Sequence, residues 1–595
     1  MANFLKSVLT TLLALIIFCG LGISGLLFLI IVGLRSSTPT VKDKSILVLD
    51  LALSLQDVEP EYSSADVARR SLTGDRESST IARLSTVTRA LEQASRDPRI
   101  VGLYLRGGVS SGSSGLANLL EARRALKQFR ASGKPVIAYD AHWSEREYYL
   151  GSLATKLFIN PLGTLTIDGY ASENVFFAGT LKKYGVEVQV TRVGKYKSAV
   201  EPFLLTKNSP ENQEQERQLL TDLWTEWVTS VAEHRQLTPQ AVQAIADTQG
   251  MLLPHEALKQ RLVDAVALPS EVNDELKRIT GKTGDRDTVA QIDIQTYARA
   301  TEDTSQASSK NRIAVLYAQG EIRNSQRATS TISAESFARQ LRQLRRDKTV
   351  KAIVLRINSP GGSVTASEAI QAEVVQTREQ KPVIVSMGNV AASGGYWIAT
   401  YADRIFAEPT TITGSIGVYG LIPNIQKLAN AQGITWDTVK TAKYADMDTI
   451  SRPQTPEELA LNQKLVDWIY SEFLSKVAES RKLPKAKVAE IAQGRVWSGS
   501  AAKKIGLVDE IGGLNQAIAA AAKQANLADW QVDEYPKNRG SLFQLLQEED
   551  NTAQVQQIDP VTVKYQRLLE MLAIVQALDD PQHIYARLPF HMEIK

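Results

Sequence analysis

This chain contains its own fold twice. Asp97-Pro-Arg-Ile-Val-Gly-Leu-Tyr-Leu-Arg returns as Asp347-Lys-Thr-Val-Lys-Ala-Ile-Val-Leu-Arg, and Lys134-Pro-Val-Ile returns as Lys381-Pro-Val-Ile. Phe158-Ile-Asn-Pro, Val231-Ala-Glu-His-Arg and Leu262-Val-Asp come back as Phe406-Ala-Glu-Pro, Val477-Ala-Glu-Ser-Arg and Leu507-Val-Asp. The offset stays between 245 and 250 residues, which marks a duplicated domain and not scattered similarity. At 595 residues the chain is in any case too long for one hydrophobic core.

Each copy alternates strand and helix. In the first, an apolar run of strand length begins at Ser45, and the pattern predicts a helix over 85–94, a strand over 100–105, a helix over 116–129 and a strand over 135–139. Strands separated by helices of this length read as βαβ units on a parallel sheet, so the fold class is α/β. The copies extend over 45–278 and 313–535. Between them, 279–312 is rich in Thr, Ser, Asp and Lys and reads as a linker with one short strand. In the tail, 536–595, the pattern ends, and only Val561 to Leu578 looks helical.

Residues 1–44 form a separate unit. From Val8 to Leu34 no residue is charged; as a helix at roughly 1.5 Å per residue this is about 40 Å, against about 30 Å of hydrocarbon. It reads as an uncleaved membrane anchor, because Arg35-Ser-Ser-Thr-Pro is a poor signal-peptidase site. Flanking charges, Lys6 on one side and Arg35, Lys42 and Lys44 on the other, do not set its orientation. The lone cysteine, Cys19, lies inside it, which excludes disulfides within the chain and cysteine-based metal sites. A net charge of +3 gives no electrostatic basis for nucleic-acid binding.

Three small-residue motifs follow one another in the second copy. A strand over 352–357 runs into Asn358-Ser-Pro-Gly-Gly, where Gly361 and Gly362 present bare N–H groups suited to an oxyanion. A strand from Pro382 to Met387 leads to Ala391-Ala-Ser-Gly-Gly-Tyr-Trp, which is expected to expose Ser393 at a helix start, where backbone N–H groups favour developing negative charge. Further on, Thr413-Gly-Ser-Ile-Gly supplies Ser415 between glycines that permit close approach. Any one of these is as readily a tight turn with small-residue packing; the ordered set points to a serine nucleophile.

The duplication provides a control, because scaffold residues recur while chemistry need not. From Pro161 and Pro409 the copies align without a gap at an offset of 248. Ser415 then faces Ile167, and Lys197 faces Ala445, whereas Lys195-Tyr196 recurs as Lys443-Tyr444. Ser393 falls opposite Glu145 or Arg146, with Ser144 close by. The second copy thus holds the serines without the lysine, and the first the lysine without the serines. One site shared between the copies explains both losses. None of the five histidines, His142, His234, His255, His583 and His591, offers a convincing base. A lysine serves if it is neutral; its pKa near 10.4 must then fall by about three units through burial, worth roughly 4 kcal/mol.

With Ala-Ala-Ser-Gly-Gly-Tyr-Trp, Thr-Gly-Ser-Ile-Gly, Ser-Pro-Gly-Gly and Tyr-Lys-Ser-Ala-Val-Glu-Pro-Phe in place, the chain resembles the long, duplicated form of the bacterial signal peptide peptidase A (protease IV) family over about residues 45–535. The resemblance implies two tandem ClpP/crotonase-like domains of repeated ββα units behind a transmembrane helix. It implies a Ser–Lys dyad with Ser393 as nucleophile and Lys197 as general base, Ser415 orienting the lysine, and Gly361 and Gly394 at the oxyanion hole. It implies neither cofactor nor metal, a bowl-like homotetramer, and hydrophobic peptides, above all remnant signal peptides, as substrates. The implied location is the bacterial inner (plasma) membrane, single-pass, with the catalytic domains on the periplasmic or extracytoplasmic side. Two rivals stay open: a crotonase-type acyl-CoA enzyme, which needs oxyanion N–H groups but no Ser–Lys pair, and a non-catalytic membrane scaffold.

Overall fold

The computed structural model describes residues 39–58, 81–108, 114–284, 287–305, 309–324, 331–536 and 584–588. The expected anchor from Val8 to Leu34, with Cys19, lies outside the described residues, as do Val561 to Leu578, His583 and His591. Among the described residues no helix is long and apolar enough to cross a membrane.

In the first copy, strands β1 (Ser45–Asp50), β2 (Ile100–Arg106), β3 (Val136–Trp143) and β4 (Lys156–Thr166) lie side by side and parallel. Their near-continuous apolar runs are buried, as expected of a parallel sheet covered by helices. Helix α1 (Leu84–Arg96) buries Leu84, Val87, Leu91 and Ala94, an apolar stripe at helical spacing; α2 (Leu116–Ala131) and α3 (Glu145–Gly151) follow strands β2 and β3. The second copy repeats this plan with β7 (Arg312–Gln319), β8 (Val350–Ser359) and β10 (Val383–Ala392), again parallel.

The segment 279–312, expected as a linker with one short strand, contains such a strand and a helix besides. Strand β6 (Gln291–Asp293) pairs parallel with β1, and α4 (Ile294–Ser305) docks on α1, with Tyr297 buried and its hydroxyl 3.0 Å from Asp97 Oδ2. The second copy closes in the same way, with β13 (Gln531–Tyr535) parallel to β7. The polar composition suggested a tether because an edge strand needs little apolar surface.

A third sheet is assembled from both copies. Its order runs from short strands at Ile332–Ser333 and Ile322–Arg323 through β9 (Gly361–Ser363), β14 (Ile584–Arg587) and β12 (Val418–Asn424) to β5 (Glu187–Val193). Strand β5 belongs by sequence to the first copy, yet it pairs antiparallel with β12 from Glu187↔Asn424 to Val193↔Val418. Strand β14 comes from the tail.

Ion pairs fix the two copies together. Arg356, on β8, is fully buried, with Nη2 2.9 Å from Asp57 Oδ1 and 2.7 Å from Glu121 Oε1, both of the first copy. Burial opposes its charge, but the two carboxylates raise the guanidinium pKa above its ordinary value. Arg124 grips Glu408 through two bonds of 2.6 and 2.7 Å. Replacing Arg356 with Met leaves Asp57 and Glu121 buried without their shared partner; the expected loss of unfolding free energy is about 3–5 kcal/mol, measured by chemical denaturation.

Candidate active site

Strand β10 ends at Ala392, and the chain turns sharply at Ser393, whose φ of 56° and ψ of −114° place a non-glycine residue in a strained conformation. Its N–H donates to Gly414 O at 2.8 Å, and one helical turn, α5 (Gly394–Trp397), follows. Strand β11 (Ile412–Gly414) lies parallel beside β10, with Ala392 opposite Gly414. The next residue on each strand is a serine, so Ser393 and Ser415 emerge side by side.

Lys197 reaches this pair from the first copy. Strand β5 delivers the chain to Gly194, whose φ of 100° turns it inward. The loop is then pinned: Tyr196 N–H donates to Gln493 O at 3.0 Å, Gln215 Nε2 donates to Tyr196 O at 3.0 Å, and Ser198 Oγ donates to Asn212 Oδ1 at 2.6 Å. Gly494 packs so closely that a Cβ there would stand 2.6 Å from Lys197 Cβ. Lys197 Nζ lies 2.7 Å from Ser393 Oγ, 2.9 Å from Ser415 Oγ and 3.0 Å from Ser415 O. All three residues are 0% exposed. Burial pushes the lysine pKa well below its usual value. A neutral amine has two N–H donors and one lone pair, which matches this setting: two donors toward Ser415 and the lone pair toward the Ser393 hydroxyl.

Gly361 and Gly362 take φ values of 100° and 157°. A Cβ on Gly361 would lie 2.7 Å from Gly394 N, so the turn and the start of α5 face one small space. The Gly361 amide donates to Ser359 Oγ at 3.2 Å. Ser393, expected to be exposed, is buried because the tail strand β14 lies against β9 and Gly394 on this side.

The first copy contains the matching geometry without the chemistry. His142 pairs with Thr164 as Val390 pairs with Ile412, and Tyr148 Oη donates to Leu262 O as Tyr396 Oη does to Leu507 O. This register places Glu145 opposite Ser393. Its Oε1 accepts from Asp168 N at 2.9 Å and Gly169 N at 2.7 Å, and burial pushes its pKa up to about 7. The supports that hold the lysine loop, Gln493 and Gly494, escaped sequence reasoning, since Ala-Gln-Gly after an apolar helix reads only as a helix end.

The residues match peptidase family S49 over 128–281 and again over 375–528, one match in each copy. The chain belongs to peptidase family S49. A Clp protease family match covers 304–412, including the glycine turn and Ser393. Protease 4 of Haemophilus influenzae is 34% identical over 554 residues, 90% of this chain and 88% of its own length. Protease 4 of Salmonella typhi is 37% identical over 76% of this chain and 74% of its length. The chloroplastic serine protease SPPA of Arabidopsis thaliana is 35% identical over 73% of this chain and 64% of its own. This S49 member is a serine peptidase.

Linkage gives a check on the buried amine. A lysine whose folded pKa is depressed binds fewer protons than the unfolded chain between that value and about 10.4, so its burial opposes folding there and the penalty fades as pH rises. Relative to Lys197→Met, wild-type stability should therefore climb with pH by up to about 1.4 kcal/mol per unit until about pH 10.4. Denaturation curves at several pH values measure the slope; a difference independent of pH rejects a neutral Lys197.

Proposed function

We propose that Ser393 is the nucleophile of this endopeptidase, Lys197 its general base, and Ser415 the residue that orients the lysine. The carrying observation is the fully buried amine 2.7 Å from Ser393 Oγ with its other contacts on Ser415. Lys197 takes the Ser393 proton as Oγ attacks the peptide carbonyl. The amides of Gly394 and of the Gly361–Gly362 turn hold the tetrahedral oxyanion. Lys197 then protonates the leaving amine, and water, activated by the same lysine, releases the acyl group.

The substrate class in this reading is hydrophobic peptides, above all cleaved signal peptides, and the segment from Val8 to Leu34 tethers the enzyme at the inner membrane with its catalytic domains on the periplasmic side. An anchored enzyme meets apolar leader fragments where they partition, in or beside the bilayer.

The duplication also supports a head-to-tail assembly, and we infer a homotetramer. Arm β5 of the first copy pairs with β12 of the second. At the offset of 248, the second copy's arm is 435–441, which has no strand partner and leaves Trp436 44% and Val439 97% exposed. The counterpart of β12 is 170–176, likewise outside any strand, with Val175 62% exposed. An arm of one chain on the edge of the next makes a heterologous contact, which forms a ring where the rotation between neighbours closes.

Ser393→Ala and Lys197→Ala should each lower turnover of a leader-derived peptide by about 10³-fold or more with folding intact, and Ser415→Ala should slow it. Mixing the two inactive proteins should restore nothing, because lysine and serine meet within one chain. A fully active Lys197→Ala protein sinks the dyad, and failure of a fluorophosphonate to label Ser393 rejects it as the nucleophile. Val439→Asp should shift the sedimentation coefficient from tetramer toward monomer.

A further inference from the structure

The turn from Gln493 to Arg495 touches the lysine loop and the orienting serine at once. Gln493 O holds the Tyr196 N–H and Gly494 packs on Lys197, while Arg495 O accepts from the Ser415 N–H at 2.7 Å. Gly494 N–H donates to Ile416 O at 2.8 Å. Gln493 has a φ of 50° and Ser415 one of 49°. Both are non-glycine residues in the left-handed region, a conformation that persists only where the surroundings over-determine it. Any residue at position 495 offers the same carbonyl, so the constraint has to come from side chains.

Arg495 supplies it. Its guanidinium carbon lies 4.8 Å from the centroid of the Tyr196 ring and 4.6 Å from that of Trp497, so the cation stands over one aromatic ring from each copy. Its Nη1 donates to Tyr196 Oη at 3.2 Å and to Glu214 Oε1 at 3.1 Å, and Tyr196 Oη donates to Glu214 at 3.2 Å. Both rings are themselves fixed. Tyr196, the residue before Lys197, is 7% exposed. Trp497 lies opposite Thr413 of β11, two residues before Ser415, and its Nε1 donates to Ile491 O at 3.1 Å. The side chain of Arg495 thus joins the residue beside the lysine to the strand that carries the serine.

The rings, and not the ion pair, are the strong part of this clamp. The Glu214 side chain is 56% exposed, and a pair with so wet a partner contributes little. A planar guanidinium over two rings is held in place by its shape, which an ammonium cannot reproduce. Nor does the clamp act on the amine by charge. Its charged groups are Arg495, Glu214 and Lys195, the last with Nζ 4.9 Å from the Tyr196 ring centroid; Lys197 Nζ bonds only to Ser393 and Ser415, and burial is what depresses its pKa.

We propose that Arg495 is a positioning residue for peptide cleavage: held over Tyr196 and Trp497, it locks the lysine loop of the first copy against the Ser415 turn of the second. This rests on the Ser393–Lys197 reading. The lock keeps the Lys197 amine within reach of the Ser393 hydroxyl and closes the seam between the copies to water. Loosening it misplaces the amine and wets it together, which is a loss that a purely structural residue would not produce.

The test is the rate of Ser393 labelling by a fluorophosphonate as a function of pH in wild type, Arg495→Met, Trp497→Leu and Glu214→Gln, with kcat and KM for a leader-derived peptide measured in parallel. In wild type the rate should rise with pH as Lys197 loses its proton. Arg495→Met should lower the plateau and kcat by up to about 10²-fold with KM unchanged, because the amine is misplaced and the peptide is not. It should also move the rise to higher pH by about one pH unit, since water admitted to the amine favours its charged form. Trp497→Leu should change both in the same direction, and it decides the matter if Arg495→Met does not fold. Glu214→Gln should keep the wild-type profile. A rate loss without movement along the pH axis, or an equal movement in Glu214→Gln, overturns the proposal. Labelled wild type with Arg495→Met and Trp497→Leu proteins indistinguishable from it overturns the positioning role alone. Wild type whose Ser393 takes no label overturns the dyad and this proposal with it.

Discussion

An amine held in a site that excludes water is the condition on which the rest of this structure depends. Among the described residues Lys197 has no carboxylate beside it to balance a charge; it has two serines and a glycine wall. In water a lysine side chain is protonated, and burial moves the Lys197 pKa well below its ordinary value, toward the neutral form. That burial opposes folding, so the surrounding protein has to supply compensating free energy. It does so through the copy interface, where Arg356 and Arg124 cross between copies, and through the shared sheet that carries β5 against β12.

The same sheet explains why duplication did not yield two equal sites. The arm of the first copy carries Lys197 to the two serines of the second, and the first copy's position opposite Ser393 holds a different residue. Glu145 fills it, bonded to the amides of Asp168 and Gly169, and anchors the turn after Ile167. A carboxylate beside the equivalent turn would repel an oxyanion. The second copy keeps the strained serine, a conformation that persists only because the strand, helix and neighbouring turn around it are rigid.

Much of the fold could be read from local pattern. The parallel strands at 45–50, 100–106 and 136–143 and the helices between them follow from apolar runs and helical spacing, and the repeat reproduced them in the second copy. Unequal losses between the copies singled out Lys197, Ser393 and Ser415, and these side chains meet in the structure. Other features left no such trace. Residues 291–305 looked like a tether because an edge strand and an amphipathic helix are mostly polar. Gln493 and Gly494 hold the lysine loop through a carbonyl and a missing side chain, and neither has a sequence signature.

The sequence by itself determined that two α/β units follow one another and which residues have no counterpart in the other copy, because periodicity and repetition are properties of order along the chain. Tertiary structure alone decided that an arm of one unit completes the sheet of the other, that Glu145 and not Arg146 or Ser144 stands opposite Ser393, and that a strand of the tail pairs between β9 and β12. Pairing between strands hundreds of residues apart depends on which edges remain open after each unit has folded, and no local pattern encodes that.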